Sequence, residues 1–220
     1  MILFVFLIIT DIIYSLLASC KAPSTTPTVF ELGLIMSNLA IFCRQVRSRS
    51  AEHASAVGLL FHANHLGQVV SILRQELDSM IRTIYLLSIH DRIERQRLID
   101  ASVNGGPWKV NGKKARITDK DMADRAGQFQ GWTASVYKFG CAFIHLSAFH
   151  DYSDRDPFRS LPDSEKQEIL QHMRSYHGGP RESDPSFSDI ARYFPAIFDK
   201  VSSNLACYLK SLENNEDIQP

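Results

Sequence analysis

Four side chains that can take part in acid–base or phosphate chemistry lie in two apolar segments of the chain. Arg74 and Asp78 are four residues apart in the first segment, and Lys138 and His145 lie in the second. A histidine can take a proton from a hydroxyl, and a cation can stabilise the charge of a phosphate. Arg74, Asp78, Lys138 and His145 are therefore the candidate catalytic residues. For Arg74 and Asp78 the spacing favours a simpler interpretation, an ion pair within one helix.

Two further groups of residues carry weaker chemical patterns. Arg47 and His53 also combine a cation with a histidine that could act as a base. They fall in a predicted junction between helices, so chance explains their spacing better than a catalytic role does. The other group has residue types that can bind a metal in the core of a helical bundle: His62, His65, His145 and His150. Because no Glu-x-x-His pair accompanies them, ordinary surface or hydrogen-bonded histidines are favoured, and no cofactor is predicted.

Composition and motifs argue against several other kinds of site. The 24 basic and 24 acidic residues cancel, so a nucleic acid would have to bind at a local patch. The four cysteines contain no Cys-x-x-Cys pair, which argues against a zinc knuckle and against a redox motif. The chain also has no Gly-x-Ser-x-Gly elbow and no phosphate-binding glycine loop.

The elements that must position these residues are predicted to be helices. Apolar residues recur at three- and four-residue steps over residues 54–90, which indicates one long core helix carrying Arg74 and Asp78. Residues 108–113 predict a small β-hairpin. The fold is therefore expected to be all-α, a bundle of about five to six helices with one small β-hairpin insertion. The other helices are predicted over residues 29–48, 118–130, 133–149, 163–177 and 188–212.

Three parts of the chain differ in composition. Residues 1–28 form a hydrophobic N-terminal segment and linker, residues 29–213 a single helical-bundle domain, and residues 214–220 a disordered tail. Asp11 interrupts the apolar run and no Lys or Arg precedes it, so a signal peptide and a membrane span each fit only in part. The further alternative is an extension that the functional protein does not need. Residues 17–20 match the lipobox of bacterial lipoproteins. We expect a cytoplasmic protein, with a membrane anchor through residues 1–20 or a lipoprotein attached at Cys20 as the alternative.

Two segments together carry a family resemblance. Residues 73–86 contain Arg74 with a carboxylate four residues on, and residues 137–145 form a Tyr-Lys segment that ends in a histidine. In this combination the chain resembles uncharacterised prokaryotic helical proteins related to the HEPN superfamily, over about residues 57–212. The resemblance implies an Arg and His pair that catalyses metal-independent RNA cleavage in nuclease members. Here Lys138 precedes His145 where an Arg is expected, and lysine cannot hold a phosphate with two parallel hydrogen bonds.

The imperfect catalytic pair decides between the predicted functions. The favoured function is a HEPN-like, non-catalytic interaction module; a metal-independent endoribonuclease of toxin or defence type is the alternative, and a metal-binding helical bundle is the second alternative. The expected partner is a protein, either a second copy of the chain or an antitoxin-like protein, with RNA as a further candidate. His145 is expected inside the bundle near Arg74, because the residues around it are apolar.

Overall fold

The fold is all-α, as the sequence predicts. A computed structural model describes residues 36–152 and 154–219. Within these residues it contains eight α-helices and a short 3₁₀ turn, Ala148–His150. The helices are α1 Asn38–His62, α2 Leu66–Leu87, α3 Arg92–Val103, α4 Asp119–Gly127, α5 Thr133–Ile144, α6 Asp163–His177, α7 Phe187–Ala191 and α8 Phe194–Glu213. The predicted N-terminal segment, residues 1–28, lies outside the described residues.

Helix α2 is the centre of the bundle. It packs against α1, α4, α5 and α8, so its apolar side chains are covered from several directions. Leu77, Met80, Ile81 and Ile84 are fully buried. Their recurrence at three- and four-residue steps places them on the faces of the helix that meet its neighbours, which is why this segment shows the clearest helical pattern in the sequence.

The prediction of one helix over residues 54–90 is wrong, because the chain breaks between α1 and α2. Asn64 adopts a left-handed conformation with φ of 59°. Asparagine tolerates this conformation better than most residues do, and one such residue ends a helix. The break that the sequence suggested after Ser48 is absent, since residues 49–53 contain no glycine or proline and continue α1.

Several helix ends lie close to their predicted positions, and others differ from them. Thr118 and Asp121 form a reciprocal capping box at the start of α4, as predicted. Helix α6 ends at His177 and is followed by Gly178, whose φ of 74° suits glycine. The helix predicted over residues 188–212 is divided into α7 and α8. Pro195 lies in the first turn of α8, where its missing N–H removes no helical hydrogen bond. Helix α5 ends at Ile144, five residues before the predicted end at Phe149.

The predicted β-hairpin is reduced to one isolated antiparallel bridge, between Lys109 and Arg116. The backbone N–H of Val110 donates to Ala115 at 3.0 Å, yet no strand forms in the described part of the chain. A pair of strands is marginally stable without a third strand or a broad apolar face. Here only the two ends of the loop, Trp108 and Ile117, are buried apolar residues.

Residues at the end of the chain pack on the bundle, where the sequence suggested disorder. The N–H of Ile218 donates to the carbonyl of Leu87 at 3.3 Å. Arg95, which is buried, pairs with Asp217 and donates to the carbonyl of Glu216 at 2.9 Å. Charge pairing therefore orders a segment whose composition is typical of a tail. None of the helices in the described residues combines the length and apolar composition needed to cross a bilayer.

Candidate functional site

The side chain of Arg74, a residue of α2, packs against α5 and does not face an open cleft. Its side chain is 6% exposed. The guanidinium carbon lies 3.9 Å from the centre of the Tyr137 ring, and Nε lies 3.4 Å from the sulfur of Cys141. A guanidinium on an aromatic ring gains cation–π attraction, which is larger where water is excluded. Tyr137 and Cys141 therefore hold Arg74 within the bundle.

The close approach of α5 to Arg74 depends on Gly140. A Cβ atom at this position would lie 2.6 Å from Cβ of Arg74 and 3.0 Å from its Cγ. The absent side chain lets the α5 backbone rest directly on the arginine stem. Two contacts therefore hold the side chain of Arg74: Gly140 covers its aliphatic stem, and Tyr137 covers its guanidinium group.

Burial and polar contacts shift the pKa of Arg74 in opposite directions. Burial disfavours the charged guanidinium, but the contacts with Cys141 and Asp78 outweigh it, so the pKa of Arg74 is raised above its usual value. Burial raises the pKa of Tyr137, although the positive charge of Arg74 opposes this shift. Arg74 is therefore a permanent cation beside a neutral phenol, and it has no proton to exchange near neutral pH.

Asp78 is shared by three arginines. Arg82 Nε donates to its Oδ2 at 3.0 Å, while Arg49 Nη1 lies 3.8 Å from Oδ2 and Arg74 Nη1 lies 3.8 Å from Oδ1. Oδ1 is buried and has no hydrogen-bond partner among the described residues. The predicted ion pair between Arg74 and Asp78 is therefore present as part of a larger network that joins α1 to α2.

Lys138 and His145 are not part of this network. The amino group of Lys138 pairs with Glu165 at 2.6 Å, and its side chain is 68% exposed. His145 is exposed, which makes its predicted burial wrong. Helix α5 ends one residue earlier and His145 takes an extended conformation, so the apolar pattern of the helix no longer applies to it. The described structure contains no hydrogen bond or ion pair from either residue to Arg74 or Asp78.

Arg47 and His53 are separated in the same way, although both lie on α1. Arg47 is on the surface and makes two hydrogen bonds with Glu213, at 2.5 and 2.7 Å. His53 is buried, and its Nδ1 lies 2.7 Å from Oε2 of Glu76. Ser50 also donates to Glu76. These residues therefore support helix packing through two separate contacts.

Sequence reasoning missed Glu76, although a signal was present. Glu76 follows Leu73 by three residues and precedes Met80 by four, which places it on the apolar stripe of α2. A carboxylate at such a position requires a buried partner. The partner comes from another helix, so the sequence alone did not identify it.

The histidines that suggested a metal site do not form one. His62 is bonded to the carbonyl of Gly58 at 2.6 Å, and His150 to residues of its own turn. Across residues 36–152 and 154–219, no three His, Cys, Asp or Glu side chains are placed to share a metal ion. His62 and His65 flank the break between α1 and α2 rather than sharing one helix.

The bundle contains an apolar pocket that the sequence did not indicate. It is bounded by α2, α5, α6, α7 and α8 and encloses about 70 Å³. Its floor consists of buried side chains, among them Leu73, Ile190 and Phe194. Two polar residues of its lining reach solvent, since Lys200 is exposed and His177 is half-buried. Burial, together with the positive charge of Lys200, lowers the pKa of His177.

Comparison with known proteins finds no matching family model, no similar curated protein and no similar solved structure. The HEPN resemblance of residues 57–212 therefore stays a prediction.

Proposed function

We propose that the chain is a non-catalytic helical interaction module. The observation that carries this proposal is the separation of the four candidate catalytic residues. Arg74 and Asp78 belong to an internal network, whereas Lys138 and His145 lie on the surface outside it.

RNA cleavage of the predicted type needs a base and a cation at the same phosphate. Arg74 cannot supply the cation without leaving the ring of Tyr137 and the backbone at Gly140. Lys138 would first have to release Glu165, and in the described part of the chain no cationic side chain is bonded to His145. This arrangement favours a binding role over the endoribonuclease alternative.

The apolar pocket gives the module a surface that differs in chemistry from the rest of the bundle. Grooves with apolar walls and a few polar groups at their openings are typical of binding sites. The pocket has this composition, with Lys200 and His177 at its opening. We therefore propose that recognition takes place there.

The experiment compares RNA cleavage by the wild-type chain with cleavage by Lys138→Ala and His145→Ala, using single-stranded and hairpin RNA without added metal. We expect no cleavage above the buffer control for any of the three proteins. Cleavage by the wild type that is lost in His145→Ala would overturn the proposal and assign the endoribonuclease function instead. A mock purification from cells that lack the protein is the control for a contaminating nuclease. Cleavage that survives both substitutions and exceeds this control would also overturn the proposal.

A further inference from the structure

The opening of the apolar pocket carries cationic and hydrogen-bonding groups that have no partner in the described residues. Lys200 has no carboxylate within ion-pair distance there, in contrast to Lys138 and Lys166. The rings of His177 and His172 make no hydrogen bond in the same part of the chain. An apolar cavity with an unused cation at its opening complements a molecule that has an apolar body and one anionic end.

We propose that the apolar pocket binds an alkyl carboxylate of medium chain length, with its chain against Leu73 and Phe194 and its carboxylate at Lys200 and His177. The inference rests on the proposed function, since it treats the pocket as the recognition site of a binding module. It goes further by naming the chemistry of the ligand.

The size of the pocket favours a single narrow chain. At about 70 Å³ it is well below the roughly 300–1,000 Å³ of pockets that hold drug-sized ligands. The inner carbons of an alkyl chain can enter such a space, while the remaining carbons and the polar end stay at the opening. Each methylene that leaves water contributes about 0.8 kcal/mol, so a chain of several carbons gains appreciable affinity.

The lining also distinguishes an alkyl chain from the C-terminus of a partner protein, which has the same carboxylate. A peptide would bring amide N–H and C=O groups that lose free energy when buried without partners. The only serine hydroxyl of the lining belongs to Ser135 and already donates to Glu168 at 2.6 Å. The nearly apolar lining therefore favours a chain without amides.

The test is calorimetric titration of the full chain with octanoate, compared with octanol and acetate. Octanol keeps the chain without the charge, and acetate keeps the charge without the chain. We expect saturable one-to-one binding of octanoate, weaker binding of octanol and none of acetate. A short acetylated peptide that ends in leucine serves as the protein-like probe, and we expect it to bind more weakly than octanoate.

Two lysine variants on α8 provide the matched comparison. Lys200→Met is expected to weaken octanoate binding about 10- to 100-fold, the equivalent of one charge-assisted hydrogen bond. Lys210→Met changes an exposed lysine that does not line the pocket and is expected to leave affinity unchanged. Thermal melting of both variants shows whether each is folded. A third variant, Val136→Phe, adds volume to the lining and should weaken the binding of octanoate and of octanol alike.

The proposal is overturned by any of three results: no saturable binding of octanoate, equal binding of octanol and octanoate, or an equal effect of the two lysine variants. Tighter binding of the peptide than of octanoate would also overturn it and assign the pocket to a protein C-terminus. These outcomes leave the RNA cleavage test untouched. Failure of the carboxylate proposal and failure of the non-catalytic proposal are therefore distinguishable.

Discussion

His53 and Glu76 bring a histidine ring and a carboxylate together inside the bundle, where Glu76 is fully buried. A buried carboxylate that loses its partner keeps the cost of desolvation without the compensating contact. Arg47 and Glu213 are joined by two hydrogen bonds, but this pair is exposed and water already solvates both groups. Location therefore decides how much each pair contributes to stability.

We predict that His53→Leu lowers the free energy of unfolding by about 3–5 kcal/mol, while Arg47→Ala lowers it by less than about 1 kcal/mol. The double variant His53→Leu, Glu76→Leu should lose less stability than the sum of the losses of His53→Leu and Glu76→Leu, because it leaves no buried charge. Urea unfolding followed by circular dichroism measures the free energy of unfolding of these three variants and of Arg47→Ala. Equal losses for His53→Leu and Arg47→Ala would contradict the prediction.

Cys43 illustrates how burial controls reactivity at a single residue. Burial, with a smaller contribution from the Glu213 carboxylate, raises the pKa of the Cys43 thiol to about 11. Only the thiolate reacts with alkylating reagents. Cys207 is exposed on α8 and has no such protection.

At pH 8 we therefore expect iodoacetamide to label Cys207 rapidly and Cys43 only after denaturant is added. Mass spectrometry of the digested protein reports the two sites separately. If Cys43 and Cys207 were labelled at the same rate in the folded protein, the packing of α1 against the bundle would have to be different.

At the scale of the helices, the contact between α2 and α5 depends on the absence of a side chain at Gly140. Gly58 on α1 is the useful comparison, since a Cβ there would meet nothing within 4 Å. Alanine is the better helix former at both positions. The two glycines therefore separate helix propensity from packing.

We predict that Gly140→Ala destabilises the protein by about 1–3 kcal/mol, because α5 must move away from Arg74. Gly58→Ala should stabilise it by about 0.5–1 kcal/mol through the lower entropy of the unfolded chain. Differential scanning calorimetry of the two variants gives the sign of each change. A stabilising Gly140→Ala would mean that the two helices do not approach as closely as described.

The helices that sequence predicted best are those with local signals at their ends. Thr118 caps α4 through a residue three positions away, and Gly178 follows α6 directly. The break at Asn64 lacked such a signal, because the sequence on both sides favours a helix. The pairing of Arg74 with Asp78 was likewise local to one helix, whereas its contacts with Tyr137 and Cys141 depend on how two helices pack. His145 was misjudged because its exposure depends on where α5 ends.

On the scale of the whole molecule, the end of the chain contributes to the bundle. Asp217 pairs with Arg95 and with Arg92, and Arg95 is buried. Sequence suggested disorder here because the segment is polar and short. The interaction is visible only once α3 presents its arginines to it.

We predict that Asp217→Asn lowers the urea midpoint of unfolding, because buried Arg95 loses the charge of its partner. Asp124→Asn removes an exposed pair with Lys120 and should leave the midpoint nearly unchanged. Urea unfolding of the two variants makes the comparison. Indistinguishable midpoints would show that the end of the chain does not support the fold.

On the same scale, the four candidate catalytic residues fall into two separate groups. Arg74 and Asp78 join α1, α2 and α5, while Lys138 and His145 face solvent. If the four residues formed a shared active site, substitutions at all four positions would lower activity, and the stability of the fold would depend on other residues. An internal network instead makes stability depend on Arg74 and not on His145.

The free energy of unfolding of Arg74→Ala and His145→Ala, measured side by side in urea, tests this most directly. We predict a loss of about 2–4 kcal/mol for Arg74→Ala, because the change removes the stem packed on Gly140 and the cation over Tyr137. We predict a change within about 0.5 kcal/mol for His145→Ala, as for most surface substitutions. A stable Arg74→Ala protein together with a strongly destabilised His145→Ala protein would contradict the account.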